Sequence, residues 1–186
     1  MIVTKLRFVT SAVCLVGTLF VGCASDEAPQ VAQVDLQILD FQAIQELIAS
    51  HRGKVIVMDC WSTSCPPCIR EFPGLVALHR QLSDRVACIS LCFDYDGLGT
   101  PEEVAGPVLE FLQQQQATFD NVLSSDEADE LYRRFELASV PAVYVYDRGG
   151  QLHKRFDHER GEEFTYADIT ATVTELANPT RPKETP

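Results

Sequence analysis

Val55-Ile-Val-Met-Asp59-Cys60-Trp61-Ser-Thr-Ser64-Cys65-Pro66-Pro67-Cys68-Ile-Arg-Glu-Phe-Pro73 is the stretch from which the rest of the chain is read. Its opening run is apolar and β-branched, the composition of a strand covered on both faces. Its close has helical character, with Cys68 in the first turn. Between the two lies a C-x-x-C in which prolines separate the thiols. A cysteine at a helix N-terminus meets the positive end of the helix dipole, which favours thiolate over thiol. Strand, short loop and cysteine at a helix start together make a reactive dithiol.

Trp61-Ser-Thr-Ser-Cys65-Pro-Pro-Cys68 resembles the active-site signature of the thioredoxin-like superfamily. Its Cys-Pro-Pro-Cys form is similar to that of the membrane-anchored, extracytoplasmic thiol-disulfide oxidoreductases of bacteria, the TlpA/ResA-like branch. Other positions fit at the family's spacing. Asp59 stands where thioredoxins carry a buried acid beneath the second cysteine. Pro73 matches the proline that kinks the active-site helix, and Val140-Pro141-Ala142 resembles the cis-proline segment facing the disulfide. Ser64 departs from the aromatic often found before the first cysteine, and Cys60 departs from a large apolar strand residue. The resemblance covers residues 35–177. It implies an α/β, thioredoxin-like fold: a central mixed sheet flanked by helices, with the extra helix and strand of the extracytoplasmic branch.

The chain has 186 residues and a formal net charge of −12. That length suits a single domain, and no basic patch is available to neutralise nucleic-acid phosphates. Lys5 and Arg7 precede an apolar stretch from Phe8 to Val21, too short for a comfortable transmembrane helix and ending at Gly22-Cys23. This pattern resembles a bacterial lipoprotein signal over residues 1–22, with Cys23 lipidated. Phe20 departs from the usual leucine, and an uncleaved anchor or plain secretory signal is the alternative. Residues 23–34 then read as a tether, 35–177 as the domain and 178–186 as a loose tail. All versions place the domain outside the cytoplasm.

With Cys14 in the leader and Cys23 acylated, Cys60, Cys65, Cys68, Cys88 and Cys92 remain, an odd set for an oxidising compartment. In an alternating strand over 86–93, Cys88 and Cys92 share a face but stand about 13 Å apart, beyond bonding reach. They read as small buried hydrophobes. A bridge from Cys60 to either one across neighbouring strands stays open. Zinc is disfavoured because no second closely spaced ligand pair is present.

Hydrophobic periodicity and capping signals place further elements along the chain. Asp40 caps a helix ending near Gly53, and an amphipathic helix runs from Ile69 to Leu82, bent at Pro73 and Gly74. Thr100-Pro-Glu-Glu103 starts a helix to about Gln116, followed by a short strand near 121–123. Ser125 to Ala128 caps the next helix. Strands over 143–146 and 152–156 flank the turn Asp147-Arg-Gly-Gly150, and a last helix spans 165–176.

Cys65 is the expected nucleophile, being the more exposed thiol, and Cys68 the resolving one. Asp59 reads as a proton relay to Cys68, the alternative being a satisfied buried polar group. Pro66 and Pro67 line the contact surface. Pro141, if cis, exposes the backbone of Val140 to pair with an incoming peptide. Trp61 either shapes that surface or fills the core. His51, His79, His153 and His158 read as surface residues. No cofactor or metal is expected.

The resemblance implies exchange of the Cys65–Cys68 pair with protein thiols and disulfides, in the reducing direction, with electrons from a membrane donor. The competing classes are a copper metallochaperone, for which the cysteines are one residue too close and His158 is the one conceivable partner, and a non-redox binding module. A thiol peroxidase is disfavoured by Ser62-Thr63-Ser64.

Overall fold

The protein's structure, a computed structural model, describes residues 33–159 and 163–178. The leader, Cys23, most of the tether and the tail after Asn178 lie outside the described residues. The elements run β1 (Gln37–Leu39), α1 (Phe41–Ser50), β2 (Val55–Trp61), α2 (Pro66–Leu82), β3 (Val86–Cys92), α3 (Pro101–Gln115), β4 (Asp120–Ser124), α4 (Ala128–Arg134), β5 (Ala142–Tyr146), β6 (Leu152–Phe156) and α5 (Tyr166–Ala177).

The two strands read from continuous apolar runs, β2 and β3, are buried at every residue and lie at the centre of the sheet. The strand order is β1-β4-β3-β2-β5-β6. β1, β4, β3 and β2 are parallel, each joined through a helix, whereas β5 runs antiparallel to β2 and β6 antiparallel to β5. Parallel strands need such crossovers, and helices therefore cover both faces. One face packs Val57 and Trp61 against α2, α3 and α5; the other packs Ile56, Met58 and Cys60 against α1 and α4. This is the α/β architecture expected from the sequence, insertion included. α3 also carries an internal proline, Pro107, not singled out above.

Local signals explain most boundaries. The Asp40 carboxylate accepts from the Ala43 N–H at 2.8 Å and starts α1. Removing that cap by Asp40→Ala is expected to cost about 1 kcal/mol, read as a fall in the denaturant midpoint. The α4 start differs from expectation: its N-cap is Glu127 without a side-chain cap bond, and Asp126 instead accepts from the Phe41 N–H at the head of α1. In the β5–β6 turn, Gly150 alone has positive φ, while Asp147 Oδ1 accepts from the Gly149 and Gln151 N–H groups.

Three sequence readings are corrected. Trp61 is fully buried, packed against Phe72 and Phe111 at ring-centroid distances of 5.0 and 4.8 Å. It fills the core and has no surface to offer a partner. Cys60 points to the opposite face from Cys88 and Cys92, because β2 and β3 pair with Cys60 beside Leu91 and Trp61 beside Cys92. No bridge forms, and all three are free buried thiols. His79 is half-buried, its ring edge-on to Phe119 at 5.3 Å, and its Nδ1 has no hydrogen-bond partner among the described residues.

Candidate active site

The β2 strand ends at Trp61, and the chain crosses to α2 through Ser62-Thr-Ser64. That loop is pinned twice. The Thr63 N–H and hydroxyl donate to the Asp94 carboxylate beyond β3, and the Ser64 N–H donates to Ser62 Oγ. Cys65 is then the N-cap of α2, with Pro66 and Pro67 at the first helical positions. Prolines fit there because those N–H groups have no helical acceptor and the ring presets φ. The Cys68 N–H is left free to donate to Cys65 Sγ at 3.3 Å. A thiolate on Cys65 is stabilised by this contact and by the helix terminus.

Cys65 and Cys68 are joined as a disulfide, with S–S 2.10 Å and Cα–Cα 5.3 Å. Cys65 is half-buried and Cys68 is buried. Of the two sulfur-bearing residues Cys65 is therefore the more accessible, and Cys68 is the more shielded. The other three thiols are held neutral: burial pushes Cys88 up to about 12, and Cys60 and Cys92 well above the ordinary thiol range. They are chemically inert beside an N-terminal helix thiol.

Behind Cys68 lies a cavity of about 310 Å³ whose walls include Asp59, Pro67, Glu71, Pro141, His158 and Tyr166. Asp59 is buried in mid-sheet, flanked by Ser90 on β3 and Val143 on β5. Burial raises its carboxyl from 3.8 to about 7; a hydrogen bond from the Tyr166 hydroxyl pulls the other way, and the Glu71 carboxylate adds to the rise. Such a group takes and returns protons near neutral pH. Asp59 and Cys68 face the same space, large enough for bridging water.

The Val140–Pro141 bond is cis. Pro141 is buried against the cavity and Val140 is half-buried, at the surface where β5 begins. Pro66 is exposed and Pro67 half-buried in the first turn of α2, between the two cysteines. Two residues of this cluster were missed in the sequence. Glu71 stands three positions after Cys68, and that helical spacing alone puts both on one face of α2. Tyr166 carries no local signal, since it meets Asp59 across 107 residues of chain.

A central mixed sheet with a C-x-x-C disulfide at the strand-to-helix junction and a cis-proline opposite defines a protein of thioredoxin-like fold. The chain belongs to the AhpC/TSA family, which its residues 24–155 match. Among curated proteins it is 24% identical over 118 residues to the thioredoxin-like protein YneN of Bacillus subtilis, a span covering 63% of this chain and 65% of that one. It is 22% identical over 121 residues to the thiol-disulfide oxidoreductase ResA of Geobacillus kaustophilus, covering 63% of each. The match thus spans a little under two thirds of the length of these relatives. Solved structures share the fold. A secreted Mycobacterium tuberculosis disulfide oxidoreductase homologous to E. coli DsbE superposes with a TM-score of 0.55 at 20% identity, over 69% of this chain and 86% of its own. A DsbE-type thiol:disulfide interchange protein from Chlorobium tepidum gives 0.55 at 17%, over 70% and 85%.

Proposed function

We propose that this protein is a thiol-disulfide oxidoreductase of the bacterial cell envelope that exchanges its Cys65–Cys68 pair with protein substrates, working as a reductase. One observation carries the reading: a half-exposed cysteine at a helix N-terminus, bonded to a buried one that shares a cavity with a buried carboxyl near neutrality. The thiol-disulfide oxidoreductases among its relatives support it.

In the reducing direction, the Cys65 thiolate attacks one sulfur of a substrate disulfide. A Cys65–substrate disulfide forms and the other substrate sulfur leaves as thiolate. Cys68 then gives its proton to Asp59 and attacks Cys65 Sγ. The Cys65–Cys68 bond forms, the second substrate thiolate leaves, and two electrons have passed to the substrate. A dithiol donor protein, for which a membrane partner is the natural source, returns the pair to the reduced state by the reverse chemistry. The backbone of Val140, beside cis-Pro141, and the Pro66-Pro67 surface hold the substrate peptide. The N-terminal pattern supports attachment to the membrane through a lipid on Cys23; among the described residues no helix is long and apolar enough to cross a bilayer.

The test is equilibration of the isolated protein with glutathione and dithiothreitol buffers, with the bound fraction of disulfide read by thiol alkylation. A midpoint more reducing than the glutathione pool supports the reductase; a more oxidising one assigns disulfide donation instead. A pair that does not equilibrate at all removes the proposal.

A further inference from the structure

We propose that Tyr166 is a positioning residue that holds the Asp59 carboxyl in its relay orientation and sets how readily it accepts the Cys68 proton; this rests on Cys65–Cys68 being an exchanging dithiol. The Tyr166 hydroxyl donates to Asp59 Oδ2, the one hydrogen bond that carboxyl receives among the described residues. The other oxygen receives no hydrogen bond among the described residues, and Asp59 and Cys68 line one cavity.

The tyrosine is itself fixed from two sides. It is the first residue of α5, whose start is tied by the Thr165 N–H and hydroxyl donating to Asp168 Oδ2 at 2.9 and 2.8 Å. Its ring lies directly on the backbone of α2: a Cβ at Gly74 would fall 2.2 Å from Tyr166 Cγ. Glycine at 74, one residue past the helix proline, is what lets a ring from α5 reach the acid on β2. The hydroxyl stays protonated, because burial and the neighbouring carboxylate push its ionisation far above the ordinary range. It is a fixed donor, and it favours the carboxylate over the acid.

The other titratable groups around the pair are few. Cys60 lies next along β2, Cys88 comes from β3, Cys68, Arg70 and Glu71 from α2, and His158 and Glu163 from the segments before α5; β5 presents only Val143. Glu71 works against Tyr166, raising the proton affinity that the tyrosine lowers. Among the described residues no group other than Tyr166 counters the burial of Asp59 by direct contact.

Tyr166→Phe keeps the ring on Gly74 and removes only the hydroxyl. In the reduced protein, the infrared carbonyl band of protonated Asp59, assigned by its loss in Asp59→Asn, is expected to titrate about one pH unit higher than in wild type. The pH profile of single-turnover resolution by Cys68 moves upward with it, with a rate at neutral pH about tenfold lower that recovers on raising the pH. Site-specific 3-fluorotyrosine at 166 preserves size and strengthens the donor, so both measurements move downward. Unshifted titrations in the two proteins, with wild-type exchange intact, overturn the role of Tyr166 and leave the dithiol reading standing. Absence of exchange in wild type overturns both.

Discussion

With Cys65 replaced by serine, exchange with protein disulfides is expected to fall to background, a loss of at least about 10³-fold. Cys68→Ser is expected to stop one step later, with substrate covalently held on Cys65. The asymmetry follows from placement. Cys65 is half-buried at the tip of α2 and receives the Cys68 N–H, whereas Cys68 is buried against the cavity. Only Cys65 is open to an incoming sulfur, and only Cys68 is close enough to release it. Non-reducing electrophoresis and mass spectrometry of each variant after mixing with a disulfide-bonded protein distinguish the two outcomes. Adducts on Cys68 in Cys65→Ser at the same level as on Cys65 in Cys68→Ser would abolish the distinction between the two roles. The buried Cys60, Cys88 and Cys92 should not substitute, since burial holds them as neutral thiols.

The segment from Val55 to Pro73 was legible because its information is local. A buried strand, two prolines at a helix start and a cysteine at the cap each declare themselves within a few residues. The central mixed sheet followed from the family resemblance, and its β5–β6 hairpin from the turn residues Asp147 to Gly150. What could not be read was which side of the sheet a residue faces relative to a distant partner. Trp61 abuts the loop in sequence, yet the pleat turns it into the aromatic cluster with Phe72 and Phe111. Cys60 neighbours β3 but the register sets it beside Leu91, on the face away from Cys92. Asp126 looked like part of a cap for its own helix and serves the head of α1 instead. Tyr166 lies in the final helix with nothing local to mark it; only the fold brings its hydroxyl to Asp59. Glu71 is different. Its spacing from Cys68 was visible, and a helical projection of α2 would have put it at the site.

Asp59→Asn is expected to make the protein more stable at alkaline pH and slower as a catalyst. In the folded chain the carboxyl titrates at about 7, against 3.8 when unperturbed. Between those values the folded protein retains a proton that the unfolded chain has released. Stability is therefore fully present below about pH 4, falls as pH rises through this window, and is lowest once the buried group has ionised. A shift of this size corresponds to about 4 kcal/mol as an upper bound. Asparagine carries no charge and can still accept from Tyr166, so the variant lacks that slope. Unfolding by denaturant should show the two proteins alike at pH 4 and the variant ahead by about 2–4 kcal/mol at pH 8. Exchange should meanwhile slow about 10²-fold at neutral pH, because the proton of Cys68 has lost its acceptor. The opposite signs are what separate a relay from a structural hydrogen bond. A residue kept for structure alone would lower stability when replaced and leave the rate-limiting proton transfer where it was. If the variant were less stable than wild type at pH 8, the carboxylate would have to be compensated by contacts other than Tyr166, and its place as the proton acceptor would fall with the cost that defines it.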